Sequence, residues 1–384
     1  MSINLDNAAT SHPKPESVYL AVDYTLRKVG ASPGRGGYRR GMEATRILFE
    51  ARETLAELFG ITDSSRIAFT SNATAGLNMA ILGMLRGGGH VITSSMEHNS
   101  VIRPLCLARK MGAEITRIPC DRQGLINPRD VEAALRPDTR LVVITHCSNV
   151  TGTIQPIGEI GMLAGKAGTT LLLDAAQSAG LIPIDVEEMG IGMLACPGHK
   201  GLLGPQGTGF LYVAEGINPL PILAGGTGSH SSDEQQPDEM PDRLEIGTPN
   251  VPGIAGLKAG ADFIRETGME TIRRKEKGLT ERLMRGLSGI PGITIYGPPP
   301  ERERGSVVSF TAQGIDPSFI AFTLDREYGI DVRSGLHCAP DAHRSIGTFP
   351  LGAVRVSPGW FTTGAEIEAF LRAMETIVAG EASS

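Results

Sequence analysis

The sequence of 384 residues lacks the features that mark membrane and secreted proteins. No apolar run approaches the ~18 residues that a membrane span requires, in a chain that is 41% hydrophobic and 20% charged. The first residues contain neither the basic segment nor the apolar segment of a signal peptide. We therefore expect a cytoplasmic protein that does not bind a membrane.

Runs of lysine and arginine interleaved with aromatic residues are also missing, and the formal net charge is −6. A nucleic-acid groove is therefore not expected. C-x-x-C pairs are absent among the five cysteines, which argues against a disulfide framework and against a zinc site. We expect free thiols and no bound metal. The cysteines are Cys106, Cys120, Cys147, Cys196 and Cys338.

The chain does contain a regular alternation of helical patterns and short apolar stretches from about residue 46. This alternation predicts βαβ units and a mainly parallel sheet, which is an α/β fold. The 49 glycines predict many tight turns between these elements. We predict a helix over Arg46–Phe59 and helices that start near Thr74 and after His98. The predicted strands are Arg66–Thr70, His90–Thr93, Glu114–Ile118, Leu141–Thr145, Thr170–Asp174, Met193–Cys196 and Gly209–Val213.

A second, smaller α+β part is predicted after a long surface loop, Gly225–Arg243, which is rich in glycine, serine and acidic residues. A helix-rich stretch follows this loop. The elements predicted beyond it are strands at Ser306–Thr311 and Ala353–Ser357 and a helix over Ala365–Val378. The predicted division is a large domain of residues 15–250 and a small domain of residues 1–14 and 251–384.

Asp174 and Lys200 together indicate a cofactor. An apolar run ends at Asp174, and Lys200 follows in the glycine-rich turn Cys196–Lys200. Pyridoxal phosphate needs an amine for its aldehyde and a carboxylate for its pyridine nitrogen. Either residue alone is more often a strand end or a solvated cation, so the spacing does not exclude that simpler interpretation. Both follow predicted strand ends, where ligands bind in open α/β sheets.

Seven short motifs occur in order along nearly the whole chain: Leu5–Thr10, Glu97–Ser100, Ser148–Gly152, Asp174–Gln177, Gly198–Lys200, Gly247–Asn250 and Arg333–Cys338. Together they resemble the pyridoxal phosphate enzymes of fold type I, in the class V aminotransferase family, and within it the cysteine desulfurases. The last motif is similar to that of the SUF-type (group II) desulfurases. The resemblance implies a large domain with a seven-stranded type of sheet flanked by helices.

The resemblance also implies how the cofactor ring is held. Lys200 would bind the cofactor aldehyde and, once displaced, carry the α-proton of the substrate, and Asp174 would pair with the pyridine nitrogen. Gln177 would donate a hydrogen bond to the phenolic oxygen, with Asn149 nearby to orient the cofactor or the substrate. His98 would stack on the ring and assist proton transfer.

For the phosphate, the resemblance implies Thr74 at a helix start, where backbone N–H groups favour anions, and His199 as a second donor. Thr248 would reach the phosphate of a neighbouring subunit, which implies a homodimer with shared sites. Ala73 and Pro197 stand where the family often has hydroxyl residues. We therefore expect two phosphate contacts to be missing.

Cys338 would be the nucleophile that takes sulfur from L-cysteine and leaves L-alanine. Arg333 and His337 lie close in sequence and would favour its thiolate. Arg355 would bind the substrate α-carboxylate through two parallel hydrogen bonds, assisted by Asn149. The persulfide would pass to a thiol or to an acceptor protein, for example in iron–sulfur cluster assembly.

Other functions stay open from the sequence. A selenocysteine lyase shares the scaffold and acts on L-selenocysteine. A pyridoxal phosphate aminotransferase or carbon–sulfur β-lyase would not use Cys338 as nucleophile. A sulfur-relay component would have little activity without its partner. The acceptor is the least defined feature, since Leu336 and Pro340–Pro350 depart from the enzymes dedicated to cluster assembly.

Overall fold

The computed structural model describes residues 2–34, 37–229 and 232–381. The chain begins with strand β1 (Ile3–Asn4) and helix α1 (Glu16–Tyr24). Within the described residues, no helix combines the length and the apolar character needed to cross a membrane.

The larger sheet has seven strands: β2 (Ile67–Thr70), β3 (Gly89–Ser94), β4 (Ala113–Ile118), β5 (Thr139–Thr145), β6 (Thr170–Asp174), β7 (Met193–Pro197) and β8 (Gly209–Val213). Their order is β2-β8-β7-β6-β5-β3-β4. Strand β8 is antiparallel to both of its neighbours, and the other neighbouring strands are parallel. The predicted α/β fold with a mainly parallel sheet is therefore confirmed.

Helices cover both faces of this sheet: α2 (Arg39–Phe59), α3 (Ala73–Leu85), α4 (Asn99–Lys110), α5 (Pro128–Ala134), α6 (Ile157–Lys166) and α7 (Val251–Thr267). Successive side chains of a strand point to opposite faces. In β6, Leu171 and Leu173 accordingly enter one hydrophobic core and Leu172 enters the other. Burial on both faces explains why these strands read as continuous apolar runs.

The rest of the chain forms a smaller layer: α8 (Met269–Ser288), β9 (Ile293–Tyr296), β10 (Val308–Ala312), α9 (Pro317–Tyr328), β11 (Ile330–Asp331), β12 (Arg333–Gly335), α10 (Pro340–Ile346), β13 (Ala353–Val356) and α11 (Gly364–Glu381). Four strands form an antiparallel sheet in the order β12-β13-β10-β9, and β1 pairs with β11. Phe310 and Phe370 pack edge to face at 6.2 Å in the core between this sheet and α11.

Several predicted bounds differ from the structure by one to three residues, and the start of one helix differs by seven. Helix α2 begins seven residues before the predicted Arg46, at Arg39; its first turns are mainly polar, and the buried Ala44 and Gly41 give no strong apolar periodicity. Strand β10 begins at Val308 instead of Ser306, because Val308 pairs with Val356 and the next backbone unit, at Ser357, bonds to Leu5 and Asn7 instead.

The predicted division at residue 250 stays a prediction, and packing favours a later boundary. Helix α7 buries Ile254, Leu257 and Ile264 in the core of the large sheet, whereas the core of the smaller layer takes residues of α8 from Leu279 onward. We therefore propose that α7 belongs with the large part. The predicted loop 225–243 contains no helix or strand among its described residues, and positions 230 and 231 lie outside them.

Candidate active site

The carboxyl ends of the central parallel strands open onto one cavity of about 90 Å³. Asp174 ends β6, and Lys200 lies three residues beyond the end of β7. Seven residues predicted from the sequence line this cavity: Thr74, His98, Asn149, Asp174, Gln177, His199 and Lys200. The topology therefore collects side chains that are up to 126 positions apart in the chain.

Burial sets the charge of the two central groups. Asp174 is 1% exposed, and burial raises the pKa of its carboxyl, although a hydrogen bond from the Ala176 amide (2.9 Å) opposes this. Burial lowers the pKa of Lys200 to about 8, and the positive charge of Arg355 adds to the effect. A lysine with this pKa is a neutral, nucleophilic amine in roughly a tenth of molecules at pH 7.

His98 is held in one orientation at the start of α4. Its Nδ1 accepts a hydrogen bond from the Ser100 amide (3.0 Å), so in the neutral ring the proton lies on Nε2. Burial and the charge of Lys200 lower the pKa of His98 to about 4. His98 therefore presents a neutral imidazole of fixed orientation to the cavity. The predicted stacking on a cofactor ring stays a prediction.

The end of the cavity at α3 offers donors for an anion. The first turn of α3 exposes its N-terminal dipole there, and Asn72 caps the helix by accepting from the Ala75 amide (2.9 Å). The Thr74 hydroxyl lies 2.7 Å from that of Ser100. Ser100 lines the same cavity; it has no role predicted from the sequence, although it ends the motif Glu97–Ser100. Nδ1 of His199 is buried without a hydrogen-bond partner among the described residues.

The donor set fits pyridoxal phosphate. A buried carboxylate would favour a protonated ring nitrogen beside it, because opposite charges stabilise each other where water is excluded. An amine with a lowered pKa is ready for an aldehyde, and a helix start suits a phosphate. Gln177 donates one amide hydrogen to the Ala8 carbonyl (3.0 Å), which leaves its second hydrogen for a ring oxygen. Ala73 and Pro197 line the cavity without hydroxyl groups, and Ser100 supplies a hydroxyl nearby.

Arg355 lies on β13, next to this cavity, and is 1% exposed. It pairs with Asp6 (2.7 Å) and donates to the Asn149 carbonyl (3.2 Å). Its Nε is buried without a partner among the described residues, so part of the guanidinium remains available to a carboxylate. Asp6 was missed by sequence reasoning, although it belongs to the first of the seven motifs.

Asn149 joins the cavity to the cysteine that was predicted as nucleophile. Its side-chain amide donates to the His337 carbonyl (2.7 Å), and the Asn99 amide donates to the Cys338 carbonyl (2.7 Å). Both carbonyls of the cysteine segment are thereby fixed to the large part of the molecule. Arg355 and the turn that carries Cys338 thus both contact Asn149, which lines the same cavity as Lys200.

Cys338 is exposed at a tight turn in which His337 and Cys338 both have positive φ, 48° and 56°. The turn closes through a hydrogen bond from the Ala339 amide to the Leu336 carbonyl (2.8 Å). Left-handed backbone is unfavourable for residues other than glycine and is maintained only by surrounding contacts.

Only one of the two residues expected to favour the thiolate contacts it. Arg333 donates to the Cys338 sulfur at 3.7 Å. The ring nitrogens of His337 instead face the Arg333 carbonyl and His343, and burial together with nearby arginine charge lowers the pKa of His337 to about 2. A neutral His337 adds no positive charge beside the sulfur.

Thr248 does not lie in the Lys200 cavity. It lines a separate, larger cavity between α2 and residues 241–250, where Arg52 and Glu245 form an ion pair (2.6 Å). Its predicted contact with a neighbouring subunit stays a prediction.

Comparison with known proteins agrees with this geometry. The family model "Aminotransferase class-V" matches residues 3–370, and the chain belongs to this family. Members of the family depend in general on pyridoxal phosphate.

Two similar curated proteins are both named "Probable cysteine desulfurase". The protein from Methanothermobacter thermautotrophicus is 36% identical over 97% of this chain and 94% of its own. The protein from Synechocystis is 33% identical over 98% of this chain and 91% of its own.

Solved structures of cysteine desulfurases are also similar. The apo enzyme from Thermococcus onnurineus NA1 has a TM-score of 0.92 at 35% identity, over 99% of this chain and 95% of that one. The enzyme CsdA from Escherichia coli has a TM-score of 0.88 at 27% identity, over 98% and 95%. The predicted family, fold type and enzyme class are confirmed, while the group II assignment stays a prediction.

Proposed function

We propose that this protein is a cysteine desulfurase that converts L-cysteine to L-alanine and carries the removed sulfur as a persulfide on Cys338. The observation that carries the proposal is the connection through Asn149, which lines the Lys200 cavity and holds the Cys338 turn by its hydrogen bond to His337. One side chain thereby contacts both the cavity of the buried amine and the turn that carries the exposed thiol.

Pyridoxal phosphate, when bound, supplies an aldehyde for an amine and a ring that withdraws electrons from the carbon next to that amine. Asp174 would stabilise its ring nitrogen, while Gln177 would bind its ring oxygen. The N-terminus of α3, with Thr74, Ser100 and His199, would hold its phosphate. His98 would keep the ring in plane as a neutral imidazole.

Arg355 would bind the substrate α-carboxylate because it is a buried guanidinium whose Nε has no partner among the described residues. Its ion pair with Asp6 fixes its orientation and reduces the cost of its burial. Lys200 would carry the substrate α-proton, since a pKa of about 8 lets its amine accept and return a proton near neutral pH.

The sulfur step balances without an added oxidant. The Cys338 thiolate attacks the substrate sulfur, so a sulfur–sulfur bond forms as the carbon–sulfur bond breaks. The carbon fragment keeps the electron pair of the broken bond and takes up a proton, which yields L-alanine. Arg333, which donates to the Cys338 sulfur, would stabilise the attacking thiolate.

The remaining proposals concern partners. The persulfide would pass to an acceptor thiol or protein, and Thr248 would complete the phosphate site of a second subunit in a homodimer. A free Cys338 thiol requires a reducing compartment such as the cytoplasm.

The test is product analysis with L-cysteine and a reductant, at saturating pyridoxal phosphate, for the wild type and Cys338→Ser. Cys106→Ser is the matched control because Cys106 is also an exposed, free thiol. We expect equal amounts of alanine and sulfide from the wild type and the control, and neither from Cys338→Ser. Pyruvate and ammonia, or turnover that survives in Cys338→Ser, would favour a β-lyase instead. Activity confined to L-selenocysteine would favour a selenocysteine lyase.

A further inference from the structure

A chain of three buried side chains lies behind the Cys338 turn and has no role in the reaction proposed above. Nδ1 of His337 lies 3.2 Å from Nε2 of His343, and Nδ1 of His343 lies 2.7 Å from the Thr348 hydroxyl. Nε2 of His337 lies 3.3 Å from the Arg333 carbonyl. His343 is fully buried on the short helix α10.

The groups that bond to His337 and His343 fix the direction of each hydrogen bond in this series of three side chains. A carbonyl oxygen only accepts, so Nε2 of His337 carries a proton and its Nδ1 accepts. His343 must therefore donate from Nε2 to His337 and accept at Nδ1 from the Thr348 hydroxyl. Burial lowers the pKa values of both histidines, to about 2 and about 4, so each ring carries one proton near neutral pH.

This series of hydrogen-bonded side chains ends at the strained part of the turn. His337 is the first of the two left-handed residues, and such backbone costs about 1–3 kcal/mol for each residue other than glycine. The backbone of the turn is fixed at its two carbonyls by Asn149 and by Asn99. The imidazole of His337 is fixed by His343, and the rotation of this ring is coupled to the backbone that carries it.

We propose that His343 is a positioning residue for Cys338: by donating a hydrogen bond to His337, it holds the Leu336–Ala339 turn in the conformation that presents the thiol to the Lys200 cavity. His343 is not among the residues that line the cavity, and its ring hydrogen-bonds to His337 and Thr348. Its effect on turnover rests on the proposed function, whereas its effect on the turn does not.

The experiment compares His343→Phe, which keeps an aromatic ring and cannot donate, with His343→Gln, whose amide nitrogen can replace Nε2 as donor. Amide hydrogen exchange of the peptide around Ala339 reports directly on the turn, because the Ala339 amide is bonded to the Leu336 carbonyl. Turnover of L-cysteine and cofactor loading are measured on the same proteins, with Cys338→Ser alongside.

For His343→Phe we expect about tenfold faster exchange at this turn, which corresponds to the loss of one buried hydrogen bond. We expect kcat to fall by about tenfold or more, with KM and cofactor loading within twofold of the wild type. His343→Gln should restore both properties to within about threefold. Unchanged exchange in His343→Phe, or equal damage in His343→Phe and His343→Gln, would overturn the proposal.

Failure of the proposed function and failure of the proposed role of His343 would give different results. If Cys338→Ser keeps its activity, the proposed function is wrong, while hydrogen exchange still decides the role of His343. If Cys338→Ser is inactive and His343→Phe matches the wild type in both exchange and kcat, only the role of His343 is wrong.

Discussion

Lys200 and Cys338 lie in opposite environments. Lys200 lies beyond β7 among buried groups, and this burial lowers its pKa to about 8. Cys338 is exposed at a turn with two left-handed residues, and its carbonyl is held by the Asn99 amide. The large sheet thus provides a low-dielectric environment, and the smaller layer provides a strained backbone.

This difference teaches that the two reactive groups are prepared by different means. A buried amine becomes reactive because its charged form is destabilised by desolvation. An exposed thiol gains little from desolvation, so its orientation and its contact with Arg333 (3.7 Å) must prepare it. Mutations that affect burial should therefore act on Lys200, and mutations that release the turn should act on Cys338.

Lys200→Ala should give the largest effect. It should lower turnover and leave the reactivity of the Cys338 thiol unchanged. We expect turnover of L-cysteine to fall by at least ~10³-fold, because the proton-transfer group and the amine for the aldehyde are both lost. The rate at which iodoacetamide alkylates Cys338 in the cofactor-free protein should stay within twofold of the wild type. Residual turnover above a tenth of the wild type, measured as alanine, would contradict this role.

Asn149→Ala should affect both the cavity and the turn, because this side chain lines the Lys200 cavity and also donates to the His337 carbonyl. We expect kcat to fall by about 10- to 100-fold and hydrogen exchange at the turn to rise by about tenfold, since a buried carbonyl loses its donor. Slow turnover with unchanged exchange would mean that Asn149 acts on the cavity alone.

The pH dependence of cofactor loading should report Lys200 and not Cys338. The neutral amine reacts with an aldehyde, and a lowered pKa of about 8 means that its fraction rises with pH and levels off above about 8. The loading rate of the cofactor-free protein, followed by absorbance, should therefore increase up to about pH 8 in the wild type and equally in Cys338→Ser. A rate that keeps rising beyond pH 10 would indicate an unperturbed lysine.

Thr74→Val should give the smallest effect. It removes one hydroxyl from the proposed phosphate site and the contact with Ser100 (2.7 Å). We expect the Kd of pyridoxal phosphate to rise by about 5- to 30-fold, as one or more hydrogen bonds to a charged group are lost. Thr74→Ser is the control and should stay within about threefold. Equal Kd values for all three proteins would show that backbone N–H groups alone hold the phosphate.

The sequence predicted the large sheet and the convergence of polar residues at its edge, because both follow from local patterns, while the roles of those residues stay predictions. Apolar runs such as Thr170–Asp174 are buried on both faces and match the observed strand bounds. Thr74, His98 and Asn149 follow strands, so their convergence at one sheet edge was expected.

What could not be predicted depends on contacts between segments that are distant in sequence. The ion pair of Asp6 with Arg355 joins positions 349 residues apart. His337 was expected to assist the thiol because it is the adjacent residue, but left-handed backbone at the turn directs its ring toward His343. No sequence pattern in this segment indicates left-handed backbone at a histidine or a cysteine.

The measurement that tests the central claim most directly is mass spectrometry of the intact protein and its peptides after one turnover with L-cysteine, without reductant. We predict one additional sulfur atom on the peptide that contains Cys338, in an amount equal to the alanine formed, and none on the peptide that contains Cys106. Alanine formed without sulfur on Cys338, or sulfur found on another cysteine, would contradict the account.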